Sequence, residues 1–277
     1  MSVLIGITAF LNSLINAVFD IAVNPLLRSV PGWLSNLIIS VVVGVLALVI
    51  YKYTSNQKAL GNVWDSIKAH LLGLILFKDS ISVTLKLQVK LFINSLSLLY
   101  YSLKPMAFMI IPISLILAQL GQWYQARPLL PDEECIVTAQ VVPDSLNDIS
   151  LTVPEGVQIS AGPVVAPDTN EINWKVKADR EGSFDLAFNI GTDKVSKTVI
   201  AGQGFQQLGF AKSAGDWGEV FMNPSEKPLP ADSPVKAITI DYPDRHSKTA
   251  GTDWWLGYFF VVSLIAALIV KPVLKVN

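Results

Sequence analysis

The sequence predicts a membrane protein of mixed α plus β class, with three transmembrane helices, a cytoplasmic helical hairpin and an extracytoplasmic immunoglobulin-like β-sandwich. Residues 29–51, 105–126 and 254–270 contain no charged side chain, and a helix of about 20 apolar residues crosses the hydrocarbon core. Residues 52–104 are basic and amphipathic, whereas residues 127–253 are acidic and contain short alternating runs. The 51% hydrophobic and 16% charged residues exclude an ordinary soluble domain.

The distribution of charge predicts the orientation of the three spans. Residues 52–104 carry seven lysines against two aspartates, whereas residues 127–253 carry eleven basic and nineteen acidic residues. Basic short loops remain on the cytoplasmic side. We therefore expect residues 52–104 and the tail 271–277 inside, the N-terminus outside, and a β-domain over residues 131–202 in the periplasm of a bacterium. The endoplasmic reticulum also fits a β-domain without disulfides.

Residues 1–27 predict an amphipathic helix in the outer membrane interface. Apolar residues such as Leu4 and Ile7 recur at spacings of three and four, and Asn16 and Asp20 lie on the opposite helical face. The alternative is a further span over residues 2–23, because Asp20 is the only charge there.

Residues 52–104 predict a hairpin of two amphipathic helices that are separated near residues 77–80. The hairpin carries more apolar surface than one helix-to-helix seam needs. We expect the surplus to contact lipid headgroups, the spans or a partner, or to pack inside this chain. Lysines on the polar face, which also contains Asn94, can extend toward lipid phosphates. The candidate contacts with a client or with lipid are Trp64, Leu71, Ile75, Phe92, Lys86 and Lys90.

The spans contain a few polar side chains. Unpaired polar groups in hydrocarbon are costly, so these side chains should bond from helix to helix or should face a water-filled groove. We also expect the second span to begin at Pro105, where proline bends the helix that enters the membrane. The polar candidates are Asn36, Ser40, Ser114, Gln119, Gln122 and Ser263.

Short β-prone runs separated by turn residues follow the second span, and they predict the sandwich. Residues 203–252 are rich in glycine, proline and polar residues, and they predict an extended connector that returns the chain to the membrane, with one strand-like run at 237–243. The predicted sandwich strands are 135–142, 149–153, 157–159, 172–176, 184–190 and 195–200.

No motif in the sequence predicts catalysis, a metal site or a cofactor, and we expect the protein not to be an enzyme. His70 and His246 lie on opposite sides of the membrane in the predicted topology, so they cannot share a metal ion. Gly202-Gln203-Gly204 has no following helix or phosphate-binding lysine. Nucleic-acid binding has no support, because the basic region lies beside the membrane.

The order of these segments resembles that of the YidC-type membrane insertase superfamily, which includes the insertase subunit of the ER membrane complex. The motifs that carry the resemblance are Arg28-Ser-Val-Pro31, the segment 51–60 before the hairpin, and Lys104-Pro-Met-Ala-Phe-Met-Ile-Ile-Pro112. The resemblance covers about residues 1–126 and 254–277. It implies that three spans form a hydrophilic groove, wetted by the polar candidates above. It also implies that Arg28 supplies the cation which attracts acidic translocated tails.

These features are compatible with two functions. The protein is either an insertase-like helper that assists a membrane client through the hairpin and the sandwich, or a non-catalytic subunit of a cell-envelope complex. Its expected partners are the lipid bilayer and either a client or the other subunits. Arg28 at the membrane edge and the long insert 127–253 depart from the insertase pattern. Polar span residues that converge on a lipid-open cavity favour the first function, and residues that pair favour the second.

Overall fold

The computed structural model describes residues 2–146, 148–191, 193–230, 232–246 and 254–276. The side chain of Leu4 and the end of the predicted connector lie outside the described residues. The chain forms two compact units, which we call the β unit (Met1–Asn36 with Leu115–Trp255) and the helical unit (Leu37–Ser114 with Leu256–Asn277).

The segments that the sequence predicts as helices are helical in the structure. A short helix at Trp217–Met222, inside the predicted connector, is the addition. Among the described residues, four helical stretches are long and apolar enough to cross a membrane: Ile5–Ser29, Gly32–Thr54, Ile81–Tyr124 and Trp255–Leu274. The first corresponds to the segment predicted as an interfacial helix or a further span. The helices are α1 (Ser2–Val18), a π-helical turn (Phe19–Val23), α2 (Asn24–Ser29), α3 (Gly32–Thr54), α4 (Gln57–Leu76), α5 (Ile81–Tyr124), α6 (Trp217–Met222) and α7 (Trp255–Leu274).

Helix α5 contains both the second helix of the predicted hairpin and the segment from Pro105 onward that is predicted as the second span. It is one helix of 44 residues, with Pro105 and Pro112 in its interior. Each proline removes a backbone N–H donor, but a long apolar helix continues past such a position because local adjustment satisfies the freed carbonyl groups.

The β-strands form two antiparallel sheets. One has the strand order β3-β4-β1-β8-β7 and the other has the order β2-β5-β6. The six predicted strands are present, and the third extends to Ala166. The strands are β1 (Glu134–Val141), β2 (Ile149–Thr152), β3 (Val157–Ala166), β4 (Glu171–Ala178), β5 (Gly182–Ile190), β6 (Asp193–Ala201), β7 (Ala211–Ser213) and β8 (Val235–Ile240).

The predicted connector 203–252 contributes to the larger sheet and is therefore more than a link to the membrane. Strand β8 pairs with β1, and β7 pairs with β8. Val235, Ile238 and Ile240 are buried. The pairing covers the edge that β1 would otherwise expose.

Both sheets contribute to one apolar core. Val137 and Val176 from the larger sheet and Leu186 and Phe188 from the smaller sheet are fully buried. Trp174 of β4 meets Phe188 of β5 edge to face, with ring centroids 5.7 Å apart. Such aromatic pairs add to the free energy of simple area burial.

In the helical unit, α4 and α5 contact each other through small and polar residues. The His70 Nδ1 and Asn94 Nδ2 atoms lie 3.1 Å apart, and a Cβ at Gly73 would lie 3.0 Å from Leu87 Cδ1. Asn94 belongs to the predicted polar face of the second hairpin helix and contacts α4, whereas Lys86 and Lys90 of the same face are exposed. The predicted apolar stripe, which includes Phe92, is exposed.

Candidate functional site

Four amide side chains, two of them buried and two partly buried, form a cluster in the β unit. Gln119 and Gln122 lie near the end of α5 and are 1% and 0% exposed. Gln207, from the segment between β6 and β7, donates through Nε2 to the side-chain Oε1 atoms of Gln119 and Gln122 at 3.3 and 2.9 Å. Gln119 also donates to Asn16 of α1. This amide cluster (Asn16, Gln119, Gln122 and Gln207) joins two helices to the chain that follows β6.

A second set of hydrogen bonds holds α1 against the segment around α6. Asn12 Nδ2 donates to the carbonyl oxygen of Val220 at 2.7 Å, and Asn16 Nδ2 donates to that of Pro224 at 2.8 Å. The sequence places Asn16 on the polar face of an interfacial helix. In the structure this face is directed toward backbone carbonyls of the β unit.

Aromatic and hydroxyl groups connect the ends of three helices. The Ser35 and Tyr124 hydroxyl oxygens lie 2.6 Å apart, and Asn36 Nδ2 donates to the carbonyl oxygen of Trp255 at 3.1 Å. Tyr124 stacks on Trp255 at 5.8 Å between centroids and meets Phe205 at 5.0 Å. The first residues of α3 and α7 and the last turn of α5 are therefore held together.

The chain that leaves α5 is fixed by an ion pair. Arg127 donates through Nη1 and Nη2 to Glu133 Oε2 and Oε1 at 2.6 and 2.8 Å. The Leu130 backbone N–H also donates to Glu133. The hydrogen bond from Arg127 holds the pKa of Glu133 below its ordinary value. This bidentate arrangement is the strong geometry for arginine and a carboxylate.

A buried lysine anchors the segment after β7 to the smaller sheet. Lys197 Nζ of β6 is fully buried and donates to Glu226 Oε1 at 2.6 Å and to the Gly209 carbonyl oxygen at 2.8 Å. Burial lowers the pKa of Lys197, and the Glu226 carboxylate opposes this shift. A Cβ at Gly209 would overlap Glu226 Oε1, so the close approach requires glycine at this position.

The predicted groove residues are divided between the two units. Asn36, Gln119 and Gln122 belong to the β unit and take part in the contacts above, and Arg28 is exposed at the end of α2. In the helical unit, Ser40 is fully buried. Ser114 and Ser263 donate to carbonyl oxygens of their own helices, at Ile110 and Phe260.

The helical unit contains an open groove of about 390 Å³ between α3, α5 and α7, and its lining is apolar. Ser263 is the member of the predicted polar set that borders it. A Cβ at Gly44 would overlap the backbone carbonyl of Ser263, so α3 and α7 approach closely at this glycine. We call this the apolar groove; its lining includes Val43, Tyr51, Met109, Ile113, Phe259 and Leu264.

The predicted contact residues of the hairpin lie on its surface. Ile75 and Phe92 are 74% and 66% exposed. Trp64 and Leu71 are about half exposed, and Lys86 and Lys90 are exposed. These side chains present an apolar stripe with lysines on the same hairpin.

Sequence reasoning missed Asn12, Phe205 and Gln207, which complete the contacts at the helix ends. The hydrogen-bond partners of Asn12 and Gln207 lie between 85 and 208 residues away along the chain. The available signal was the amide-rich stretch Gln203-Gly-Phe-Gln-Gln207 in a segment otherwise predicted as a connector.

Burial also determines the properties of the lone cysteine. Cys135 is 4% exposed in β1, and desolvation raises the pKa of its thiol to about 12. The thiol therefore stays protonated near neutral pH, whereas a nucleophile needs the thiolate. Within the described ranges, no cluster of three or more histidine, cysteine, aspartate or glutamate side chains is arranged to hold a metal ion.

No protein-family model matches this chain, and no curated protein matches it in sequence.

Proposed function

We propose that this protein is a membrane-anchored scaffold, a non-catalytic subunit of a cell-envelope membrane complex that presents its β-domain to a partner. The observation that carries this proposal is the amide cluster. Polar groups that could wet a groove are instead used to bond α1 and α5 to the chain around the sheets. Hydrogen bonds in a polar network inside a protein favour one arrangement of the structure, and in this cluster Gln119 and Gln122 are joined to Gln207 although Gln122 Nε2 has no partner among the described residues.

The proposed topology has three spans, α3, α5 and α7, with the N-terminus outside and the hairpin in the cytoplasm of a bacterium. The excess of lysine in residues 52–104 and of acidic residues in 127–253 supports this orientation. The hydrogen bonds from Asn12 and Asn16 to the α6 segment support a position of α1 at the interface beside the β-domain.

The β-domain is proposed to be an immunoglobulin-like sandwich that engages the partner in the periplasm. Two antiparallel sheets with a shared core support this assignment. Strand β3 is an edge of the larger sheet and is exposed on both faces for most of its length. Ile159 and Val164 are 40% and 60% exposed there, which supports β3 as a contact surface.

An insertase-like role is the second candidate, and the hairpin favours it. Its apolar stripe, with Ile75 and Phe92 exposed, is suited to a hydrophobic client segment. The apolar groove of the helical unit offers a second surface of the same chemistry. The resemblance to YidC-type insertases implies a hydrophilic groove instead, and the pairing of Gln119 and Gln122 favours the scaffold.

Photocrosslinking in living cells separates the two functions. Photoreactive residues are placed at Phe92 in the hairpin and at Val164 in β3, with exposed Lys227 as the matched surface control. A scaffold gives one or two constant partners that persist when translation is blocked. An insertase gives many nascent membrane proteins from Phe92 that disappear when translation stops, and this result contradicts the scaffold.

The amide cluster gives an independent test of the scaffold. Gln207→Ala removes two hydrogen bonds and leaves buried amides unpaired, which costs about 1–3 kcal/mol and loosens the contact between α5 and the β-domain. We expect partner recovery on purification to fall severalfold. Gln206→Ala is the control, because Gln206 donates to the nearby carbonyl oxygen of Gln203, within its own loop. Equal recovery from both variants would contradict a role for the cluster in partner presentation.

A further inference from the structure

The β unit contains a basic pocket of about 410 Å³ that the proposed scaffold function does not use. Gly32 at the start of α3, Arg127 after α5, and Gly204 and Phe205 after β6 line it. Arg245, which follows β8, also lines it. His246 completes the set of charged or titratable groups, and no acidic residue is among the described residues that line the pocket.

Arg245 carries the uncompensated charge of this pocket. Its guanidinium lies over the Phe205 ring at 4.8 Å and donates to the carbonyl oxygens of Ala126 and Gly204 at 3.1 and 3.4 Å. Among the residues that the structure describes, no carboxylate forms an ion pair with it. Its Nη2 atom is buried and has no hydrogen-bond partner there.

The second arginine adds to the positive potential. Arg127 is paired with Glu133, yet burial and the neighbouring Arg127 both lower the pKa of Arg245. Arg245 is partly buried, and its positive charge has no carboxylate partner among the described residues. An anion in the pocket would offset the positive potential of the two arginines, and phosphate oxygens match the planar fork of arginine. Because Nη2 is enclosed, a hydrogen bond from it to the anion requires the Arg245 side chain to turn toward the pocket.

The position of the pocket identifies the source of the anion. Gly32 is the first residue of α3, and Arg127 lies three residues beyond the end of α5. Both helices are candidate membrane spans by length and composition, and the ends of helices that cross a bilayer lie at the depth of the lipid headgroups. Trp33 and Trp254, which are 42% and 68% exposed, are residues of the type enriched at that depth. The N-terminus of α3 also favours negative charge.

We propose that this pocket binds the phosphate of an anionic phospholipid headgroup, with Arg245 as the principal donor. This proposal does not rest on the scaffold function, since it requires only that α3 and α5 cross a bilayer. A lipid held at the junction of helix ends and β-domain would stabilise that junction by mass action.

The test measures lipid-dependent thermal stability of the purified full chain. Detergent-solubilised protein is mixed with phosphatidylglycerol, phosphatidylcholine or inorganic phosphate. We expect phosphatidylglycerol to raise Tm and to bind about tenfold more tightly than phosphatidylcholine, whose choline cation opposes the arginines. Inorganic phosphate should have little effect. Equal protection by inorganic phosphate would overturn the lipid assignment, and no preference between the lipids would overturn the anionic pocket.

Substitutions of single arginines test whether the pocket is responsible for the phosphatidylglycerol response. Arg245→Gln should weaken the phosphatidylglycerol response about tenfold. Arg245→Lys keeps the charge and should retain an intermediate response, which distinguishes lost binding from lost folding. Arg180→Gln is the matched control, because Arg180 is an exposed arginine of the same domain. An unchanged response in a folded Arg245→Gln protein would overturn the proposal.

Discussion

The β unit and the helical unit of this chain use polar and apolar residues in opposite ways. In the β unit, apolar side chains of the two sheets fill a closed core, and the buried Gln119 and Gln122 accept hydrogen bonds from Gln207. In the helical unit, large apolar side chains such as Ile75 and Phe92 are exposed. The two arrangements are those expected when water surrounds the sheets of the β unit and lipid or a partner covers much of the helical unit. The N-terminal helices of the β unit resemble the helical unit in this respect, because Phe10 and Ile21 are 67% and 81% exposed.

This difference implies that the two units respond differently to mutation. A side chain in a closed core loses both transfer free energy and packing when it is truncated. A side chain that is exposed in the chain itself has fewer protein contacts to lose. Three substitutions test the comparison.

The largest effect is expected at the centre of the β core. Trp174→Ala removes a ring that is 3% exposed and that packs against Phe188, so the free energy of unfolding should fall by about 3–5 kcal/mol. Urea unfolding of the full chain in detergent, followed by protease resistance of the β-domain, measures the loss. Phe92→Ala is the comparison in the hairpin, where we expect a change within about 0.5 kcal/mol. Similar losses of unfolding free energy in Trp174→Ala and Phe92→Ala would contradict the expected difference between the two units.

The next effect is expected at the buried ion pair. Glu226→Gln leaves the Lys197 ammonium buried without its carboxylate, and such a change costs about 3 kcal/mol. Burial already lowers the pKa of Lys197, and loss of Glu226 removes the influence that opposes this shift. The folded variant then binds fewer protons than the unfolded chain at alkaline pH, so its stability relative to wild type should recover as the pH rises toward the ordinary lysine pKa.

The measurement for this prediction is the unfolding midpoint of both proteins at neutral pH and at about pH 9.5, just below the ordinary lysine pKa. Glu181→Gln, at an exposed glutamate of the same domain, is the control and should change stability by less than about 0.5 kcal/mol. A stability gap between Glu226→Gln and wild type that stays constant with pH would contradict the charge-based explanation.

The smallest effect is expected where the helical unit packs closely. Gly44→Val places a side chain against the Ser263 backbone carbonyl, and overpacking of this kind costs about 1–3 kcal/mol. Gly73→Ala is the control, because its Cβ would meet only the flexible end of Leu87 at 3.0 Å. The Tm of each variant, measured by thermal unfolding in detergent, distinguishes Gly44→Val from Gly73→Ala. A tolerated Gly44→Val would show that α3 and α7 separate easily, which would extend the contrast between the units.

The candidate sites also differ in how far the sequence could predict them. The hairpin stripe could be found from the sequence because helical periodicity assigns residues to faces without tertiary information. The partners of Gln119 and Gln122 could not, because Gln207 is separated from them by 88 and 85 residues. The basic pocket was missed for the same reason, since Arg127 and Arg245 meet only after the β-domain folds.

The sequence by itself determined the apolar helices, the six principal strands and the asymmetry of charge, because these depend on local composition and periodicity. Only the tertiary structure decided that β8 joins the sheet beside β1, that Asn94 faces α4, and that Arg245 and Arg127 line the same pocket. The physical reason is that strand pairing, burial and hydrogen-bond satisfaction depend on residues distant in the chain, and local sequence does not specify which distant groups will meet.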